Sequence, residues 1–368
     1  LSDMYEYIDT QSGLDQACAV WASAEFLALD TEFIRRDTFF PIAGLVQVGA
    51  LGKLYLVDPL AITDWGRFAQ LLENPELVKV LHSCSEDLEV FDRLCGAVPS
   101  PLLDTQIGAA MAGWGDGLSY QKLVLHSLDI HVEKGETRSD WLQRPLTDSQ
   151  CHYAALDVEY LQQIYPRLRA QLIQQGRLHW WEEDCAGLIR QAKSPAPWSE
   201  YYRRNKSLWK LDGRQRRALQ LVCEWREGEA RARDIPRGRV IKDPACFELA
   251  RRLPTSSGQM AAIKDIPPSA IRRYGDHLLA LIEQAVDSAG DTWPEEGERP
   301  LSSGQNALLK QLREYCEKRA ESLAIPVSVL ARKRDFEDLI RGVAPQGLSG
   351  WRESVIARDL LKVIEDIR

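Results

Sequence analysis

Two carboxylates stand two residues apart in Phe26-Leu27-Ala28-Leu29-Asp30-Thr31-Glu32-Phe33. The stretch begins apolar, as a buried strand does, and residues i and i+2 of a strand share a face. Asp30 and Glu32 therefore project together from a strand whose start belongs to a core. Unpaired, they repel and resist ionising. An arginine or a metal ion would relieve them; a solvated strand end is the other reading. Asp87 falls in the first turn of a helix just past a buried strand, where α/β proteins collect their sites. Tyr153 and Asp157 stand four apart in Tyr153-Ala154-Ala155-Leu156-Asp157, hence on one helix face. A core tyrosine beside a surface aspartate would give the same pair. Gathered in one place, Asp30, Glu32, Asp87 and Asp157 carry about −4, which cannot all ionise unaided. Two divalent cations balance that charge, as in two-metal sites with ions roughly 3.5–4 Å apart. Oxygen donors suit Mg²⁺ or Mn²⁺ better than zinc.

The elements that must position these residues are legible. Residues 44–50 (GLVQVGA) and 54–57 (LYLV) are short apolar strands joined by a turn at 51–53, so residue 26 onward predicts a three-strand antiparallel meander. Residues 63–72 predict a helix ended by Asn74-Pro75, and residues 77–82 (LVKVLH) a buried strand. Ser83-Cys84-Ser85-Glu86 offers a capping box for the helix carrying Asp87, through residue 94. Residues 102–112 and 118–125 predict further helices. Residues 132–146 form a polar loop with Lys134, Arg138, Trp141 and Arg144. Such a loop is either solvated or, with cations around an aromatic, suited to phosphate and base contacts. Thr147-Asp148-Ser149-Gln150 is a second capping box, opening a long helix through about residue 174.

The 368 residues suggest two or three domains, and 45% hydrophobic with 27% charged residues describes a soluble globular chain. No apolar run approaches the roughly 18 residues of a membrane span. No basic stretch precedes an apolar one at the start, so no signal peptide is expected. Eight cysteines lie scattered without a CxxC pair, consistent with reduced thiols in a cytoplasmic protein. The net charge of −8 and pI of about 5.5 argue against non-specific nucleic-acid binding by the chain as a whole. Residues 210–290 differ, with 15 Lys/Arg against 11 Asp/Glu. That excess is either a solvated face or an electrostatic footprint for RNA or DNA. Pro-containing linkers near residues 194–197 and 291–300 bracket this segment. Two all-helical segments repeat one design. Each opens on Gln (Gln215, Gln305), passes an Ile-Pro pair (235–236, 325–326) and a Phe-Glu pair (247–248, 336–337), and closes on Leu-Leu (278–279, 360–361).

Leu29-Asp30-Thr31-Glu32-Phe33, His82-Ser83-Cys84-Ser85-Glu86-Asp87-Leu88 and Tyr153-Ala154-Ala155-Leu156-Asp157 resemble the three motifs of the DEDD exonuclease superfamily. Asp104-Thr105-Gln106 and Ser139-Asp140-Trp141-Leu142-Gln143-Arg144-Pro145-Leu146 narrow the resemblance to the ribonuclease D family, and the helical repeats resemble its HRDC modules. The resemblance implies an α/β ribonuclease H-like exonuclease domain (residues 1–193) and a linker (194–209). Two small all-α HRDC-like domains follow, at 210–290 and, after a linker at 291–300, at 301–368, the second divergent. It implies 3′→5′ hydrolysis of RNA to nucleoside 5′-monophosphates, in 3′ maturation of transfer RNA precursors. A monomer is the default expectation, and the thiols and the lack of an apolar span point to a cytoplasmic protein with no membrane partner. Asp30, Glu32, Asp87 and Asp157 become metal ligands, with Asp30 bridging two ions, and Tyr153 orients the attacking water. Thr31, Phe33 and His82 are expected to line the terminal-nucleotide pocket. The superfamily divides by Tyr four residues, or His five, before the last Asp; here both are present. His152 lies about 140° off the face of Asp157 and Tyr153 about 40°, so Tyr153 is chosen. A DNA 3′→5′ exonuclease and a non-catalytic RNA-binding module are the competing readings. The chain carries no GxxxxGK[ST] phosphate loop.

Overall fold

The computed structural model describes residues 4–133, 135, 136 and 139–367. The chain forms two compact units: Leu1–Ile34, Ile42–Ser194 and Leu301–Arg368 in the first, Arg35–Pro41 and Pro195–Pro300 in the second.

The first unit is built on a six-stranded mixed sheet: β1 (Glu6–Ile8), β2 (Phe26–Ile34), β3 (Ile42–Ala50), β4 (Lys53–Val57), β5 (Val78–Leu81) and β6 (Leu102–Asp104), in the order β1-β4-β3-β2-β5-β6. Strands β2, β3 and β4 form the expected antiparallel meander, and β5 runs parallel to β2. Leu51 and Gly52 turn the β3–β4 hairpin with φ of 53° and 75°. That left-handed pair matches the twist of the flanking strands. Helices α1 (Gln11–Trp21), α2 (Gly66–Glu73) and α3 (Ser85–Cys95) are interleaved with the strands, and α4 (Thr105–Ala112), α5 (Tyr120–Leu128), α6 (Asp148–Gln174) and α7 (Leu178–Lys193) follow β6. The alternation along β2 divides the core. Leu27 and Leu29 pack with Trp21, Phe68, Leu88 and Phe91 from α1, α2 and α3. Ala28 faces the other way, with Ala154, Ala155, Val158 and Leu161 of α6.

Two predicted elements differ. Residues 102–104, read as helix, are strand β6, pairing in parallel with Lys79–Leu81. A short apolar run does not distinguish the two states; the open edge of β5 does. The helix read from residue 63 begins at Gly66, because the Asp64 carboxylate accepts the Gly66 N–H at 2.8 Å. By contrast, α6 starts as read: Thr147 Oγ1 accepts from Gln150 N at 3.1 Å, and Gln150 Oε1 accepts from Thr147 N at 3.0 Å.

The second unit contains α8 (Gly213–Ala232), α9 (Arg237–Val240), α10 (Asp243–Arg252), α11 (Ser257–Ala261) and α12 (Pro268–Val286). Its core takes in Phe39 from the β2–β3 connection, with Tyr202 and Leu208 from the stretch read as a linker. The Asp234 carboxylate holds the N–H groups of Phe39 and Phe40 at 3.0 Å each. The last segment holds α13 (Ser303–Leu323), α14 (Val327–Leu330), α15 (Lys333–Arg341) and α16 (Arg358–Ile367). The repeat is visible in local structure. Helices α8 and α13 both open on a capping box closed by Gln, and α9 and α14 each follow an Ile-Pro pair directly.

Residues 301–368 share one hydrophobic core with the sheet edge and α7, joining Leu312, Leu330, Phe336 and Trp351 to Val80, Leu103, Met111 and Trp181. Trp180 and Trp351 stack with centroids 4.1 Å apart and planes 9° from parallel. Asp184 grips Arg352 through both oxygens, at 2.7 and 2.6 Å.

Candidate active site

Period-2 alternation turns Asp30 and Glu32 to the α6 side of β2, the side Ala28 occupies. Asp157 lies on α6, one turn beyond Tyr153, and Asp87 in the first turn of α3. Asp87 and Asp157 are buried, at 8% and 6% exposure, and Asp30 and Glu32 half-buried. Their electrostatics show that they are gathered. Burial, then Asp157 and Asp87, push Asp30 well above the usual carboxylate range. Burial, then Asp30 and Asp87, push Glu32 up to about 9. Burial and Glu32 push Asp157 well up. Burial raises Asp87 to about 7, opposed by a hydrogen bond from the Thr31 hydroxyl. No arginine or lysine is among the groups that shift Asp30, Glu32 or Asp157.

Among the described residues, no three His, Cys, Asp or Glu side chains are already closed around a point as a metal-ligand set. The chemistry of Asp30, Glu32, Asp87 and Asp157 fits hard divalent cations: they offer oxygen donors only, and burial discourages each from ionising.

The capping box read at Ser83–Glu86 does not form. Cys84 is the N-cap of α3 and makes no side-chain cap. Ser83 takes a left-handed φ of 57°. The carboxylate of Asp104 crosses from the end of β6 and accepts from Ser83 N and Cys84 N at 3.0 Å each, and from Gln106 N at 2.8 Å. One buried acid therefore starts both α3 and α4, and so holds the turn that presents Asp87. Sequence reasoning used Asp104 only as part of a motif that narrows the resemblance and gave it no structural role. Its only local signal is its N-cap position, Asp before Thr-Gln.

The loop before α6 is structural where it is described. Trp141 is buried, at 2% exposure. Arg144 forms a fork to Asp58, 2.6 Å on each arm, and donates to Gly44 O at 2.7 Å. Opposite Glu32 and Phe33, the β3 partners are Leu45 and Ala43, so Gly44 is the extra residue of a bulge. A Cβ there would stand 2.7 Å from Trp141 O. Glycine is what lets the loop close on the strand pair carrying Glu32. The phosphate-contact reading of Trp141 and Arg144 is thereby corrected; Lys134 and Arg138 lie outside the described residues. Gly135 lies on the Tyr153 ring, where a Cβ would come within 2.6 Å of Cδ2.

Tyr153 is half-buried and His152 exposed, as the helix geometry required. Burial, then Asp157, Glu32 and Asp30, hold the Tyr153 phenol far above its ordinary value. Tyr120 was not foreseen: its hydroxyl donates to Leu156 O at 2.9 Å and to Asp157 O, fixing α5 to the turn that bears Asp157. The His82 ring lies against Tyr120, with centroids 5.7 Å apart. Its Nε2–H donates to Leu118 O and its Nδ1 meets Thr105 Oγ1, both at 3.0 Å. Both ring nitrogens are thus engaged within the fold. The Thr31 side chain is likewise engaged by Asp87.

With that geometry in view, comparison with known proteins is decisive. Residues 5–173 match the 3′-5′ exonuclease family and residues 215–282 the HRDC domain. The ribonuclease D of Pseudomonas paraeruginosa is 44% identical over 98% of this chain and 97% of its own. The chain belongs to the ribonuclease D family. The crystal structure of Escherichia coli RNase D, an exoribonuclease involved in structured RNA processing, superposes with a TM-score of 0.92 at 33% identity, covering 98% of this chain and 99% of that one. The catalytic core of RRP6 from Trypanosoma brucei shares the fold, with a TM-score of 0.59 at 23% identity over 77% of this chain. The first unit thus carries the ribonuclease H-like exonuclease fold of the ribonuclease D family, which implies dependence on divalent metal.

Proposed function

We propose that this chain is a 3′→5′ exoribonuclease that trims 3′ extensions from transfer RNA precursors, releasing nucleoside 5′-monophosphates. The observation that carries the reading is the gathering of Asp30, Glu32, Asp87 and Asp157, each of which burial or another acid discourages from ionising. These four side chains would hold two Mg²⁺ or Mn²⁺ ions. When bound, such ions lower the pKa of a water and stabilise charge on a leaving oxygen.

The chain's own groups supply position. The Thr31 hydroxyl steadies Asp87. The phenol of Tyr153 stays protonated at neutral pH, so it orients a water by hydrogen bonding and does not take its proton. Phe33, just past the bulge, and the face of His82 offer aromatic surface to the terminal nucleotide. RNA is preferred to DNA on the strength of the ribonuclease D relatives. The protein acts as a monomer in the cytoplasm. Among the described residues, no helix is long and apolar enough to cross a membrane.

The test is product analysis of a 3′-extended transfer RNA with Mg²⁺, with Mn²⁺ and with chelator, beside RNA and DNA oligonucleotides of one sequence. Stepwise shortening of the RNA to 5′-monophosphates, only with metal, is expected. Equal degradation of the DNA strand would replace RNA with DNA as substrate. No shortening with any divalent ion would leave a binding module.

A further inference from the structure

The helical unit holds a cavity of about 410 Å³, walled by side chains from residues 201–202 and 204–206 and from α8, α9 and α10. Residues 201–206 lie outside the stretch that matches the HRDC family. They belong to a segment whose composition reads as a linker, yet Trp198–Arg204 folds as a 3-10 helix with Tyr202 buried at 1% exposure.

Arg204, Lys206, Arg226 and Arg237 line the cavity, against one acid, Asp243. Arg237 is balanced by the buried Glu227, at 2.8 Å, and one nitrogen of Arg226 by Asp243, at 2.7 Å. Among the described residues, Arg204 and Lys206 have no carboxylate partner. Arg204 instead lies 4.1 Å over the Tyr201 ring, which holds the guanidinium in place. Arg226 is 8% exposed and its Nε is buried without a hydrogen-bond partner. Native structures seldom leave such a donor unsatisfied. Planar guanidiniums with spare donors, fixed at the wall of a nucleotide-sized cavity, suit a phosphodiester.

We infer that this cavity is a backbone-phosphate subsite for single-stranded RNA, in which Arg204, Lys206 and Arg226 take a phosphate at a distance along the strand from the scissile bond. The inference rests on the exoribonuclease reading for its ligand, but not for its test. Arg204 and Lys206 are exposed, so R204A/K206A should leave the fold intact. In full-length protein with chelator, binding of a long single-stranded oligoribonucleotide is measured by anisotropy across a salt series. The double variant should bind about tenfold more weakly, and its log K against log salt slope should be shallower by about 1.4, two cations at about 0.7 each. With metal restored, its hydrolysis of a diribonucleotide should match wild type. An unchanged affinity and slope would overturn the subsite. An equal fall in diribonucleotide hydrolysis would overturn it too, since the loss would then arise at the carboxylates. If wild type hydrolyses neither substrate, the exonuclease reading fails alone, and the binding series still decides the subsite.

Discussion

Charge is what distinguishes Asp30, Asp87 and Asp157 from ordinary buried acids: no Lys or Arg is among the groups that shift them, while backbone N–H groups steady Asp30 and Asp87 and the Thr31 hydroxyl also steadies Asp87. Replacing Asp30 or Asp87 by Ala, or Asp157 by Asn, should lower turnover at least about 1,000-fold at saturating Mg²⁺, roughly 4 kcal/mol of barrier. Near-normal turnover in any of them would remove that residue from the metal-binding set. Tyr153→Phe should cost far more activity than His152→Ala, because the tyrosine faces the acids and the histidine faces solvent. The reverse order would exchange their roles. The same repulsion fixes a pH dependence. With its pKa raised from 4.5 to about 9, Glu32 holds more protons folded than unfolded across that window. Stability without metal must therefore fall as pH rises through it. Metal displaces those protons, so the gain in Tm on adding Mg²⁺ should be larger at about pH 8.5 than at about pH 6. An equal gain at both would mean that the ion binds elsewhere.

The elements that aim these residues are set by partners distant in sequence. Helix α3 begins where the Asp104 carboxylate meets the N–H groups of Ser83 and Cys84. A Ser-x-x-Glu pattern alone suggested a self-contained start, but the buried acid of β6 satisfies those donors first. Asp104→Ala should destabilise the fold by about 3 kcal/mol, since three N–H groups lose a charged acceptor. Activity should drop with it through the displaced Asp87. Chemical denaturation checks the first, and a midpoint within experimental scatter of wild type would show that α3 caps itself. Helix α6 is the opposite case. Thr147 and Gln150 lie three residues apart and cap each other, so its start needs no distant partner.

At the scale of the molecule, residues 301–368 repeat the helical design of residues 213–286 but serve a different purpose. They close the hydrophobic edge formed by β5, β6 and α7. Trp351, stacked on Trp180 and 5% exposed, is central to that closure. Trp351→Ala should destabilise the first unit by about 3–5 kcal/mol. Thermal unfolding, followed by exonuclease activity after heating, would register it. An unchanged midpoint would mean that the segment is an independent module.

The chain's own order of residues was enough for whatever depends on covalent spacing. Asp30 and Glu32 share a strand face, Tyr153 and Asp157 a helix face, and Thr147 caps α6, because the periods of strand and helix leave no alternative. The repeat of Ile-Pro and Gln-opened helices was legible for the same reason. Tertiary structure alone decided where buried groups find partners. It turned Trp141 and Arg144 inward to β3 and Asp58, made Asp104 the cap of two helices, and folded the Tyr201–Lys206 stretch into a cavity wall. It also merged residues 301–368 with the sheet. A buried donor or apolar face must be satisfied by whatever the fold brings beside it, and no local pattern encodes which segment that is.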